Sequence, residues 1–311
     1  MNEPSANPEP AWPALSYPEW KETQATLHLW TQIVGKIRLV QTPWVNHSWH
    51  VALYVTARGL TTSPIPYGRL TFEIDFDFVE QVLRVKTSDG RDATLPLAPR
   101  SVADFHRELF ARLNSLGLAI HIKMKPNEIP DAVRFDQDRT HAAYDPAAAA
   151  RFWRVLVQAD RVFKQFRARF SGKCSPVHFF WGSFDLAVTR FSGRPAPPHR
   201  GGVPNLPDWV AREAYSHEVS SCGFWPGADA MPYPIFYSYA YPEPEGFKTA
   251  LVRPAAARYD PGFGEYVLPY DEVARSAAPD ALLLDFLQTS YEAAADLARW
   301  DRALLERPAT T

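Results

Sequence analysis

Leu70-Thr71-Phe72-Glu73-Ile74-Asp75-Phe76-Asp77-Phe78 alternates apolar and polar side chains without a break. Successive residues of an extended chain point to opposite faces, so this run is a strand with Leu70, Phe72, Ile74, Phe76 and Phe78 on a buried side and Thr71, Glu73, Asp75 and Asp77 on a wet one. The same period of two extends over Ser48 to Leu97, and Ser88-Asp89-Gly90 supplies a hairpin turn, which predicts an antiparallel sheet. Upstream, Ser16-Tyr17-Pro18-Glu19 has the spacing of a capping box, and Trp30, Ile33, Val34 and Ile37 recur at helical spacing, which predicts a helix to Leu39. Downstream, Ser101 caps a helix with Phe105, Leu109, Phe110, Leu113 and Leu116 on one stripe, closed by Gly117, and Ala119 to Met124 reads as one more strand.

After a polar, irregular stretch from Lys125 to Tyr144, Asp145-Pro146 opens a second long helix through Phe152, Val155, Leu156, Ala159, Phe163, Phe166 and Phe170. Strands are predicted at Val177–Phe191, Glu213–Phe224 and Ile235–Tyr241, and a last helix at Pro279–Leu305. The Pro-rich stretch Pro195 to Asp208 is too long for a hairpin turn and reads as a flap over a site. Leu53-Tyr54-Val55-Thr56 followed by Gly59 parallels Leu186-Ala187-Val188-Thr189 followed by Gly193. The expected fold is therefore α+β: a disordered tail over residues 1–15 in which only Trp12 and Leu15 lie against the body, a first half over 16–124, a connection over 125–145 and a second half over 146–311. Each half is a helix, antiparallel sheet, helix unit, suggesting tandem duplication, and the two pack as one domain.

The balance of charge narrows the function. Across 311 residues, 33 Lys and Arg face 35 Asp and Glu, and a net charge of −2 leaves nothing to hold a phosphate backbone or an anionic membrane. Two cysteines, Cys174 and Cys222, without zinc spacing, fit a reducing compartment, and the absence of a signal segment points to the cytoplasm. No Gly-rich phosphate loop and no nucleophile elbow occurs. Strand parity is then the strongest tool. Ser183, Asp185, Ala187 and Thr189 share one face, and Ser216, Glu218, Ser220 and Cys222 share another. If these small, polar faces coincide, they form a pocket floor carrying two carboxylates.

Glu218 and Asp185, with His178 as partner, are the candidate catalytic groups, as acid and base or as ligands of a divalent metal. His178, Glu218, His47 and His50 are the residues a metal would use. Arg190, Arg194 and Arg58 are candidate anchors for an anionic group, and Trp181, Trp225 and Tyr239 candidate walls for a small organic ligand. The plainer alternatives stay open: carboxylates paired with those arginines, histidines bonded within the core, aromatic runs that only pack, and a buried Cys222 thiol. A small-molecule enzyme and a non-catalytic small-ligand-binding protein both follow from this reading.

The segments Trp30–Lys36, Arg58–Pro66, His178–Asp185 and Tyr215–Glu218 resemble those of an uncharacterised bacterial family catalogued only as a domain of unknown function, family 5996. The resemblance spans Trp20 to Trp300 and implies one domain filling the chain of a soluble bacterial protein. It implies no reaction, cofactor or catalytic residue.

Overall fold

A computed structural model describes residues 10–307. Helix α1 (Tyr17–Gln41) leads into a first sheet built from β1 (Tyr54–Val55), β2 (Gly59–Thr61), β3 (Ile65–Tyr67), β4 (Leu70–Asp77), β5 (Val82–Thr87) and β6 (Asp92–Pro96). Its strand order is β1-β2-β4-β5-β6, with β3 also paired to β4, and every pairing is antiparallel. The alternation of β4 settles the faces: Ile74 lies opposite Val85 and Phe76 opposite Leu83 on the buried side, while Glu73 meets Lys86 and Asp75 meets Arg84 on the outer side. Helix α2 (Val102–Ser115) follows, its N-terminus closed by the Ser101 hydroxyl accepting from the Asp104 amide.

Helix α3 (Pro146–Ala168) opens the second half, where β7 (His178–Phe180), β8 (Asp185–Pro195), β9 (His217–Trp225), β10 (Ile235–Tyr241), β11 (Arg258–Asp260) and β12 (Glu265–Pro269) form a sheet of order β11-β12-β10-β9-β8-β7. A short helix α4 (Asp208–Ala214) precedes β9. Helices α5 (Tyr270–Ala274), α6 (Pro279–Leu297) and α7 (Arg302–Leu305) close the chain. One face of this sheet, with Leu186, Val188, Cys222, Phe224, Phe236 and Leu268, joins Phe163, Phe166, Leu287 and Tyr291 of α3 and α6 in the core. The two sheets meet edge to edge through a single antiparallel bridge, Leu53 to Phe179. Trp30 of α1 stacks on Phe105 at 4.6 Å and on Tyr144 at 5.3 Å, so one core runs through both halves.

The α+β class holds, and several elements differ from expectation. Trp12 and Leu15, the two residues of the tail expected to lie against the body, are buried, and the Trp12 ring meets Phe236 at 6.1 Å. Residues 1–9 of that tail lie outside the described residues. The Ser16 side chain caps nothing, because the first turn closes on its carbonyl instead. Ala119 to Met124 pairs with no strand. Val177–Phe191 is a hairpin rather than one strand, since the chain turns at Trp181–Phe184, with Phe184 in the left-handed region at φ 61°. The last helix breaks after Leu297, where Arg299 also takes a positive φ of 54°. The Leu-x-Val-Thr parallel does not mark equivalent positions: Val55 sits in the edge strand β1, whereas Val188 sits in β8, between β7 and β9. Only the coarse order of helix, antiparallel strands and helix recurs in the two halves.

Candidate functional site

The register of β8 against β9 decides which polar residues meet. Leu186 lies opposite Phe224, Ala187 opposite Gly223, Val188 opposite Cys222, and Thr189 opposite Ser221. Directly opposed residues share a face, so Asp185, Ala187 and Thr189 stand with Gly223 and Ser221, and the next strand adds Tyr237 and Tyr239 opposite those two. This is the face away from α3 and α6. Glu218 has the parity of Ser220 and Cys222 and lies on the other side, paired with Arg194 at 2.6 Å, whose guanidinium also reaches the Ala298 carbonyl at the end of α6. The expected Asp185 and Glu218 pair therefore does not exist. Parity fixes faces within a strand, but it does not say which face of the next strand matches.

Asp185 has different companions. The Tyr237 hydroxyl and the Ser183 hydroxyl each donate to one oxygen of its carboxylate. Tyr237 comes from β10, so its ring must cross β9, and Gly223 makes that crossing open: a Cβ there would overlap the Tyr237 ring and stand 2.5 Å from the Leu186 carbonyl oxygen. Tyr237 and Tyr239 stack at 6.1 Å, and the Tyr239 hydroxyl lies 2.9 Å from that of Tyr215, which follows α4. Glu265, the first residue of β12, lies near Tyr237 and Tyr215.

The third carboxyl arrives from the polar stretch between the halves. Glu128 has φ 63°, a conformation that costs a non-glycine residue on the order of 1 kcal/mol or more. Its neighbours hold it there. Gln32 of α1 brackets Asn127 like a strand partner, its amide donating to the Asn127 carbonyl at 2.9 Å and its oxygen accepting from the Asn127 N–H at 2.8 Å. The Asn127 side chain donates to the Asn205 carbonyl, and the Glu128 N–H to that of Pro204, which ties this loop to the Pro-rich segment 195–208. The carboxyl lies against Gly182, where a Cβ would overlap it, and the Gly182 carbonyl lies 2.9 Å from His28 Nε2. Helix α1 thus positions the turns that carry both Glu128 and Ser183.

Electrostatics follow from burial. Burial, then the nearby Asp185 charge, pushes the Glu128 carboxyl up to about 7. Burial, then Asp185 and Asp260, pushes Glu265 up to about 8. Asp185 is also raised by burial, but the Ser183 and Tyr237 donors oppose the shift by stabilising its charged form. No donor reaches the Glu128 or Glu265 carboxyl among the described residues, and solvent still touches both. The arrangement is one carboxyl group that receives two hydrogen-bond donors beside two that receive none and hold their protons to about 7 and about 8. Among the described residues, no three His, Cys, Asp or Glu side chains are placed to hold a metal ion.

The other expected residues are dispersed. His178 is buried between Trp49 at 6.4 Å and Phe180 at 4.5 Å, and burial, with Arg38 and Arg167 nearby, lowers it to about 3; it has no carboxylate partner. His47 and His50 stand apart from Asp185: His47 Nδ1 is 3.0 Å from the Ala214 carbonyl, and the His50 ring packs on Trp44 at 4.3 Å. Arg190 anchors no ligand, because it is fully buried under α3 and α6 with its guanidinium 3.4 Å from the Phe166 ring centroid and 4.2 Å from that of Tyr291. Arg58 pairs with Asp77 at 2.7 Å in the first sheet. Trp181 is buried against Gly35 of α1 and donates to the Val51 carbonyl. Tyr239 and Trp225 do share the face of Asp185, Trp225 packing beside Tyr237. Glu128 and Glu265 have no periodic pattern around them that marks a site, although Pro126 and Pro130 on either side of Glu128 signal a loop whose backbone is stiffened.

Two other polar groups compete for attention. A cleft of about 550 Å³ opens on the outer face of the first sheet, lined by Arg58, Glu73, Asp75, Asp77 and Lys86 among others. Its charges satisfy one another, Lys86 with Asp75 at 2.9 Å and Arg58 with Glu80 at 2.8 Å, as on any solvated sheet face. Near the far end of β8, Lys173 Nζ lies 2.6 Å from His47 Nε2 and over the Phe191 ring. Neither gathers half-buried carboxyls without donors, as Glu128 and Glu265 are beside Asp185.

No helix among the described residues is long and apolar enough to cross a membrane. The chain belongs to a family of unknown function (DUF5996), whose model matches residues 12–307. No curated protein and no solved structure matches it.

Proposed function

We propose, for this member of that family, a small-molecule enzyme that works by carboxyl acid and base catalysis in the recess of Asp185, Glu128 and Glu265. The observation that carries the reading is an asymmetry. Asp185 stands close enough to raise the proton affinity of Glu128, yet only Asp185 receives hydrogen-bond donors, from Ser183 and Tyr237. Neighbouring carboxyls in environments that separate their proton affinities are what acid and base roles require at neutral pH. Glu128 is the proton donor, Asp185 the carboxylate that accepts a proton or faces developing positive charge, and Tyr237 the group that orients it.

The test is a metabolite mixture incubated with wild-type protein or Glu128→Gln and followed by mass spectrometry. At least one compound should be converted by wild type and its conversion slowed about 100-fold or more in the variant, the usual scale for loss of a positioned acid. Conversion indifferent to Glu128, or retention of a compound without conversion, would leave a binding protein and not an enzyme.

A further inference from the structure

Two well-buried carboxylates elsewhere have counter-charges: Asp77 pairs with Arg58, and Asp160 with Lys164 at 2.5 Å. Around the recess the pattern stops. Among the described residues, Asp185, Glu128 and Glu265 form no ion pair, and the charged groups that bear on them are one another and Asp260, with Tyr215, Tyr237 and Tyr239 at the walls. Among the described residues the Glu128 carboxyl, which lies against Gly182, has neither donor nor cation.

The walls point the same way. Tyr215 meets Tyr239 at 6.3 Å and Tyr241 at 5.0 Å, Tyr237 stacks on Tyr239, and Trp225 stands beside Phe263 at 6.0 Å. Aromatic faces carry negative potential and attract organic cations. An anion would keep these carboxyls protonated, whereas a cation supplies the counter-charge that an ionised carboxylate here lacks. We propose that the recess takes an organic ammonium group, so that the substrate of the reaction inferred above carries a positively charged amine. This rests on that reading only for the word substrate; the cation site stands on the missing counter-charge and the tyrosine walls. Without a ligand, protons on Glu128 and Glu265 neutralise the site; a bound cation displaces the one on Glu265 and leaves Glu128 protonated as the donor, so affinity rises with pH between 6 and 8.5.

Tetramethylammonium chloride is the probe, titrated calorimetrically into the full-length protein at pH 6 and pH 8.5, with sodium chloride at equal ionic strength and sodium acetate as controls. Saturable binding about tenfold or more tighter at pH 8.5 is expected, weakened about tenfold in Tyr239→Leu and kept in Tyr239→Phe. Proton release should appear as a heat that differs between phosphate and Tris buffers. Glu265→Gln, which conserves volume, should abolish most of the pH dependence and replaces Tyr239→Leu if that variant does not fold. No saturable binding of tetramethylammonium, binding equal at both pH values, or saturable acetate binding lost in the same variants would overturn the cation site. Metabolite conversion lost in Glu128→Gln, with no tetramethylammonium binding, would leave the catalytic reading intact and remove this one; the reverse pattern would do the opposite.

Discussion

At pH 8.5 the double variant Glu128→Gln, Glu265→Gln is expected to melt roughly 5–10 °C above wild type, and at pH 5 the two should melt together within a degree or two. The direction follows from proton counting. An unfolded glutamate loses its proton near 4.5, whereas in the folded chain burial holds the Glu128 proton to about 7 and the Glu265 proton to about 8. Between those limits the folded state binds more protons than the unfolded one, so stability falls as pH rises from about 4.5 and the loss is complete once pH passes 8. A tenfold difference in proton affinity between the folded and unfolded chain corresponds to about 1.4 kcal/mol, and because solvent touches both side chains the combined penalty is on the order of a few kcal/mol. Glutamine stands in for the protonated form at every pH and escapes the penalty. A double variant that melts with wild type at pH 8.5, or below it, would mean that these carboxyls are not held out of water as described. Most core substitutions destabilise, so a gain on removing two charged groups identifies their burial as its cause.

Gly223→Ala carries the second large effect, in the opposite direction. The Tyr237 ring lies where the new methyl would go, and the Leu186 carbonyl, which belongs to the β8 backbone, stands 2.5 Å from it. The ring can swing away, but the strand cannot, because β8 is pinned between β7 and β9. Overpacking of this kind costs typically about 1–3 kcal/mol, and thermal unfolding should shift down by roughly 2–6 °C. The same change pulls the Tyr237 hydroxyl from Asp185. Tyr237→Phe separates the two effects, since it keeps the ring over the glycine and removes only the donor. In that background Gly223→Ala should still destabilise. Wild-type melting in Gly223→Ala would show that Tyr237 does not cross β9, and the recess would have another shape.

The elements of the fold are largely legible in the sequence, and the site largely is not, for the same physical reason. Alternation in Leu70–Phe78 and the apolar spacing of Phe152, Leu156, Ala159 and Phe163 report burial within one element, and burial is what makes strands and helices persist. Asp185 is legible because parity places it with Ala187 and Thr189. Its partners lie beyond any such rule. The offset that seats Thr189 against Ser221, and so sends Glu218 to the far side, depends on the turn at Trp181–Phe184 and the helix α4 before β9, neither of which has a periodic signature. Glu128 comes from a loop 57 residues before Asp185 and is held by Gln32, a contact that no local pattern announces. Arg190 shows the converse: beside a predicted pocket floor it reads as an anchor, whereas even parity within β8 assigns it to the face of Leu186 and Val188, under α3 and α6. Tyr237, Tyr239 and Tyr241 alternate with Ser238 and Ala240, and that period is visible, but a strand with one aromatic face packs a core as readily as it walls a recess.

The protonation of Glu128 beside Asp185 is the claim from which the rest is built, and a carbon-13 carboxyl titration of the folded protein measures it directly. With Glu128 assigned through Glu128→Gln, its resonance should titrate near pH 7. In Asp185→Asn the midpoint should move down but stay above 4.5, because burial is the larger cause and the Asp185 charge the smaller. A Glu128 carboxyl that titrates near 4.5 in wild type, unmoved by Asp185→Asn, would contradict a buried proton donor at this position.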